Sequence, residues 1–248
     1  MEQPQPVSVE VKLSGRKPVV TFTVMGITIA IFLVQMLGES VLGGDVAAFL
    51  GMKINEYILV GELWRLITPV LLHGSIAHLA LNMYALYVFG PGLEYHYGHG
   101  RFLGLFLLAG FAGNVMSFLF SANPSLGSST AIFGLLAAEG VFLYQNRKML
   151  GAQAQRALMN IVLVAVLNLA IGMGSGLQID NWGHIGGLIG GFIFSWFGGP
   201  RLGITGTYPD LAVGDQRRPA EVWGAALATF MFFALLVGVK FYLYYFLS

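Results

Sequence analysis

Seven stretches of this chain are apolar over roughly the length of a bilayer-spanning helix, and a bilayer accepts very few folds. They cover residues 18 to 37, 66 to 89, 102 to 120, 129 to 144, 157 to 173, 182 to 199 and 222 to 247. A hydrocarbon core of about 30 Å calls for roughly 17–25 such residues in helical form. Lipid offers a bare backbone no hydrogen-bond partner, so each stretch is predicted to be a helix. Composition agrees: 56% of residues are apolar and 10% charged, against about 25% charged in soluble domains. The expected fold is an all-α, multi-pass membrane protein, a six-helix transmembrane bundle plus a C-terminal seventh transmembrane helix.

Lys and Arg placement sets the orientation. With the N-terminus and every second loop on one side, that side holds Lys12, Arg16, Lys17, Arg101, Arg147, Lys148, Arg156, Arg201, Arg217 and Arg218. The other holds only Lys53, Arg65 and Lys240. Ten against three predicts a cytoplasmic N-terminus and an outer C-terminus. The organisation is read as a cytoplasmic tail over 1–17, a six-span core over 18–199, a polar cytoplasmic linker over 200–221 and the seventh span within 222–248. The tail is polar and the first span too long for a signal-peptide core, so no cleavable leader is expected. With no transit peptide visible, the expected location is a bacterial plasma membrane. The connection 38–65 is expected to lie partly in the membrane interface. The net charge of +1 gives no electrostatic reason to expect nucleic acid. Without cysteine, thiol catalysis, disulfides and thiolate metal sites are excluded.

Polar side chains inside a bilayer are costly and point to function. Span two carries "HGSIAHLALN", with His73, His78 and Asn82. His78 and Asn82 share one helix face, and His73 lies about 140° round the helix, near its outer end. Span four opens on Ser129, in "LGSSTAIFGLL", and span six carries His184, in "NWGHIGG". All three spans enter from the same side, so the clusters share one depth, as a single site open to water from that side would. A serine hydroxyl becomes a nucleophile when a base takes its proton, and histidine is the usual base. The developing oxyanion needs donors, and His78, Asn82 and the Ser129 backbone N–H at a helix start can supply them. Asp180 lies in the loop before His184 and is not favoured as an orienting group, so a Ser–His dyad is the simpler reading. Gly187 and Gly191 form a small-residue ridge for close helix contact, and Gly134 could face it. Phe133, one turn beyond Ser129, could stack on His184.

These residues resemble the rhomboid intramembrane serine proteases. The matching text is "ELWRLITPVLLHGSIAHLALNMYALYVFGPGLE" (62–94), "GSSTAIFGLL" (127–136) and "GHIGGLIGG" (183–191). The resemblance implies the rhomboid-like fold of the six-plus-one type and a serine endopeptidase that cleaves transmembrane-protein substrates within the membrane. It implies Ser129 as nucleophile, His184 as base and His78 and Asn82 as oxyanion donors. His73 matches the outer histidine of the motif, and Trp64 and Arg65 match a mainly structural pair in the first loop. No cofactor or metal is expected; the partners are transmembrane substrates and membrane lipid. Two positions depart from the usual G-A-S-G: Ser128 replaces Ala, and Thr130 replaces Gly beside the oxyanion N–H. Ser128 leaves two candidate nucleophiles, and the spacing to Phe133 and Gly134 favours Ser129.

Other readings stand beside this one. Ser129 could be a helix cap, and His78 and Asn82 could bond between helices. The chain could be a catalytically inactive rhomboid-like binder of membrane proteins, against which the intact Ser129 and His184 argue. It could be a small transporter, against which the absence of a polar path to the inner side argues. Glu139 is read as a structural carboxylate bonded to Asn114 or Asn168, and His96 and His99 as solvated. Span five, ending in "NLAIGMGSG", is the candidate lateral gate.

Overall fold

The computed structural model describes residues 17–174, 179–207 and 211–246. Ten helices and one short hairpin follow in chain order among the described residues: α1 (Val19–Leu42), α2 (Val46–Gly51), α3 (Asn55–Leu59), α4 (Ile76–Tyr97), α5 (His99–Phe120), α6 (Ser129–Gln145), α7 (Arg147–Leu150), α8 (Ala152–Gly174), α9 (Asn181–Gly198), β1 (Leu202–Thr205), β2 (Ala212–Asp215) and α10 (Pro219–Phe246). Five of them are long and apolar enough to cross a membrane: α1, α4, α5, α8 and α10. At 1.5 Å per residue, α6 and α9 are only about 26–27 Å long, with 17 and 18 residues. They are shorter than the hydrocarbon core, and they form the centre of the bundle with α5.

The second span departs from expectation. It does not begin at residue 66, because Leu63–Leu66 and Thr68–Leu71 form two 3₁₀ turns and α4 starts only at Ile76. Pro69 sits at the start of the second turn. Ser75 then caps α4, its Oγ accepting from the His78 N–H at 3.1 Å, which satisfies one orphan donor of the first turn. His73 therefore lies in the loop ahead of α4 and not on its surface. The connection between α1 and α4 is likewise built structure, holding α2, α3 and both 3₁₀ turns.

The segment expected as a plain linker carries the antiparallel hairpin β1–β2, with Leu202 opposite Asp215 and Thr205 opposite Ala212. Two contacts pin it to the bundle. Asn146 accepts from the Leu202 N–H at 2.7 Å and donates to the Pro200 carbonyl at 3.1 Å. Arg101 pairs with Asp215 at 2.6 Å. The hairpin, the start of α5 and the end of α6 thus share the end of the bundle opposite Ser129. At that end Glu94, fully buried, accepts from the N–H groups of Val20 and Thr21 and from the Thr21 hydroxyl. It closes the N-terminus of α1 from a neighbouring helix, where a negative charge complements the exposed donors.

Three side chains differ from their expected settings. Asn114 donates to the Leu66 carbonyl and Asn168 to the Val164 carbonyl, so neither bonds Glu139. His96 stacks on Phe142 at 4.3 Å, and His99 pairs with Glu94 at 2.5 Å, so neither is simply solvated.

The centre is close-packed through glycine. A Cβ on Gly187 would lie 2.0 Å from the Thr130 carbonyl oxygen, and one on Gly191 2.3 Å from the Gly134 oxygen. A Cβ on Gly134 would meet the Ala109 Cβ at 2.1 Å. The backbones of α6 and α9 therefore touch, with α5 against both, as small residues permit in lipid. At the periphery, only 6% of the most apolar stretch of α8 is buried, against 67% for α5. Gly187→Val drives carbon into a main-chain carbonyl that cannot swing aside. Overpacking of this kind costs about 1–3 kcal/mol, so a clear fall in the thermal midpoint in detergent is expected. Gly26→Ala, where a Cβ meets nothing within 4 Å, should leave the midpoint nearly unchanged.

Candidate active site

The contact between α6 and α9 brings Ser129 and His184 together. Ser129 is the first residue of α6 and His184 the fourth of α9. His184 Nε2 lies 2.9 Å from Ser129 Oγ, within hydrogen-bond range. The Phe133 ring lies flat on the imidazole, with centroids 4.1 Å apart and planes within 9°. A stacked pair of this kind is worth about 0.5–1.5 kcal/mol and fixes the ring's plane. With Nε2 accepting the serine O–H, the ring's one N–H lies on Nδ1, a buried atom with no hydrogen-bond partner among the described residues. Among the described residues no carboxylate backs it: Asp180 caps α9, its Oδ1 accepting from the Gly183 N–H at 2.9 Å.

The two adjacent serines have different surroundings. Ser128 occupies the cap position of α6 but makes no capping bond. Its hydroxyl donates to the Val70 carbonyl at 2.6 Å and is buried. That proton is committed to a main-chain acceptor, whereas the Ser129 hydroxyl faces an imidazole. Ser129 itself is a helical residue and not a cap. Thr130 is also buried, its side chain between Gly113 of α5 and Gly183 of α9, so its bulk sits in the helix seam.

Gly127 places His78. Its φ of +131° suits glycine, and a Cβ there would lie 2.7 Å from His78 Cε1 and 2.8 Å from Nε2. The same point is 3.8 Å from Ser129 Oγ, so the His78 ring and the serine hydroxyl face one small volume. Asn82, nearly buried, turns its amide along its own helix and donates to the His78 carbonyl at 3.0 Å. His73 packs edge-on against His78 with centroids 5.0 Å apart, and its Nε2 accepts from the Ser128 N–H at 3.5 Å.

A supporting network reaches back to α1 and contains residues that the motif pattern passed over. Gln35, 2% exposed, accepts from the His73 N–H and donates to the His73 carbonyl, both at 3.1 Å. It also donates to Asp45 at 2.7 Å. A polar side chain in the middle of an apolar helix was the available signal. Arg65 is buried, pairs with Glu62 at 2.7 Å, donates to the Phe49 and Met52 carbonyls and lies over the Tyr57 ring. Trp64 is half exposed and donates to the Leu50 carbonyl. Lys53 is fully buried and donates to the Ser121 and Asn123 carbonyls past the end of α5. Burial lowers its pKa to about 8.

Comparison with known proteins places this architecture in a class. It is a multi-pass helical membrane protein, and its residues 60–201 match the Rhomboid domain. The chain belongs to the rhomboid family. It is 43% identical over 192 residues to Rhomboid protease GluP of Bacillus subtilis, covering 77% of this chain and 37% of that protein. It is 38% identical over 156 residues to RHOMBOID-like protein 9, chloroplastic, of Arabidopsis thaliana, covering 61% and 35%. Putative rhomboid protease YdcA of Bacillus subtilis is 34% identical over 141 residues, covering 55% and 67%. The chain thus spans little more than a third of the first two relatives.

His73 stands outside the spanning helices, and its environment has a pH consequence. Burial first, and the neighbouring His78 second, lower its pKa from 6.5 to about 3. Between those values the unfolded chain binds a proton that the folded chain refuses, so this contribution to stability is lost as pH falls below 6.5. The thermal midpoint of the wild-type protein should fall more steeply with acidification than that of His73→Gln. Parallel pH profiles would contradict this assignment.

Proposed function

We propose that the protein is an intramembrane serine endopeptidase that cleaves transmembrane-protein substrates. The observation that carries the reading is the 2.9 Å contact between Ser129 Oγ and His184 Nε2, on helices far apart in sequence. In this reading His184 takes the hydroxyl proton, Ser129 attacks the scissile carbonyl, and the protonated imidazole then delivers that proton to the leaving amine. The tetrahedral oxyanion is met by the Ser129 N–H, the His78 ring and the Asn82 amide, which must first leave the His78 carbonyl. Phe133 keeps the imidazole aligned, and Gly187 and Gly191 keep α9 close to α6. His73, Trp64 and Arg65 support the loops around the site.

The proposed arrangement is six transmembrane helices over 18–199 plus a seventh in 222–248, joined through 200–221, with the tail 1–17 in the cytoplasm. The C-terminus faces outward, in a bacterial plasma membrane. The positive-inside bias and the gathering of Arg101, Arg147 and Arg217 at the end remote from Ser129 support this orientation. Because α6 is short, its Ser129 end sits below the headgroups, where water must reach it from the outer face. A substrate helix must unwind to expose a carbonyl. The thin packing of α8 supports it as the element that moves to admit one; the last two residues of the proposed gate, 175–176, lie outside the described residues. The Ser129–His184 geometry favours activity over an inactive binding role.

Labelling with a fluorophosphonate tests the nucleophile. Ser129→Ala should abolish labelling and cleavage of a transmembrane substrate, and Ser128→Ala should retain labelling. Loss only in Ser128→Ala would move the nucleophile, and equal labelling in all three proteins would remove the enzymatic reading. His78→Ala should lower cleavage by about 10²–10³-fold, the usual cost of losing one oxyanion donor. A crosslink tying α8 to α4 should block cleavage of a transmembrane substrate; full cleavage in the crosslinked protein would contradict the gate.

A further inference from the structure

We propose that an anionic diacyl phospholipid binds in the groove between α6, α8 and α9, at the end of the bundle remote from Ser129. The groove has a volume of about 400 Å³ and an almost wholly apolar lining, within the range of sites for small molecules. It exists because α6 presents Ala137 and Gly140 to α8. A Cβ on Gly140 would only just reach Leu158 Cδ1, at 3.6 Å. Along α6 the lining runs from Leu136 to Tyr144, which is about 12 Å of helix. That is slightly less than half of a hydrocarbon core of about 30 Å, the depth of one leaflet.

The mouth of the groove supplies the headgroup chemistry. Tyr144 and Trp196 lie at its closing end with centroids 5.9 Å apart, a pairing suited to the headgroup level. The Arg147 guanidinium lies 4.3 Å from the centre of the Tyr144 ring, which holds a cation directly over the opening. Lys148 is exposed beside it. Nearby carboxylates are committed elsewhere: Asp215 to Arg101, Glu221 to Arg217 and Arg218, and Glu94 to Thr21 and His99. Among the described residues, Arg147 and Lys148 have no acidic partner. A lipid phosphate fits this excess, since a juxtamembrane Lys or Arg attracts anionic lipid by about 1 kcal/mol each. An acyl chain in the groove would also brace α8, which has little other packing. This binding does not depend on the proteolytic reading.

Trp196 reports occupancy directly. The full chain carrying Trp64→Phe, Trp182→Phe and Trp223→Phe is reconstituted in phosphatidylcholine vesicles, and its emission is followed as acyl-brominated phosphatidylglycerol or acyl-brominated phosphatidylcholine is added. Half-quenching should need about 30-fold less of the anionic lipid, the ratio that about 2 kcal/mol from the two cations gives. Arg147→Gln with Lys148→Gln, both exposed positions, should bring the two lipids to parity. Gly140→Leu should lower quenching by both. Equal quenching in the starting protein would make the groove ordinary bilayer contact and overturn the proposal. So would a preference for the anionic lipid that survives the double Gln substitution.

Discussion

Everything at the site depends on one main-chain contact, the approach of α9 to the α6 carbonyls. Gly187 against the Thr130 oxygen and Gly191 against the Gly134 oxygen leave no room for a single carbon atom. That approach sets the separation of the helix axes. With the axes fixed, a hydroxyl at the first position of α6 and an imidazole in the first turn of α9 fall within hydrogen-bond distance. Helices in lipid gain little from hiding apolar surface, because lipid is as apolar as they are, so close packing must supply the attraction. The chemistry and the packing thus share the same seam. Thr130 fits because α5 answers it with Gly113, a compensation made on a third helix.

A second constraint acts from the side. The loop carrying Gly127 and Ser128 is held by the Val70 carbonyl, by His73 and by an antiparallel bridge between Lys53 and Ser125. His73 is in turn clamped by Gln35 from α1, and Arg65 gathers the carbonyls of the preceding loop. A buried Arg and a buried Lys are tolerated here because each donates to two or more carbonyl or carboxylate acceptors, which offsets part of the cost of removing the charge from water. The result is a rigid floor beneath the serine. By contrast α8 is packed on few sides.

Much of this could be read in the residues themselves. The alternation of spans put Ser129, His184, His78 and Asn82 towards one side, because the three helices that carry them enter from the same face. The Phe133 ring lies on His184 as helical spacing allowed. What escaped was information held in irregular backbone. Residues 66 to 75 are as apolar as a span, yet the chain there forms 3₁₀ turns to Leu71 and then an irregular loop to the Ser75 cap, which removes His73 from the helix. The hairpin over Leu202–Asp215 reads as linker because its strands are four residues long and half polar. Gln35 carried a usable signal, whereas its partner, the peptide of His73, has no side-chain identity to betray it. Glu139 shows the limit of pairing polar residues by depth: Asn114 and Asn168 satisfy main-chain carbonyls instead.

The central claim is that the α6–α9 seam presents Ser129, and not its neighbour, to an imidazole base and a set of oxyanion donors. An experimental structure of the protein after reaction with a fluorophosphonate tests it most directly. The account predicts phosphorus bonded to Ser129 Oγ, its oxygen directed towards His78 and the Ser129 N–H, and the Gly187–Thr130 contact unchanged. Phosphorus on any other residue, or α6 and α9 separated in the adduct, would contradict it.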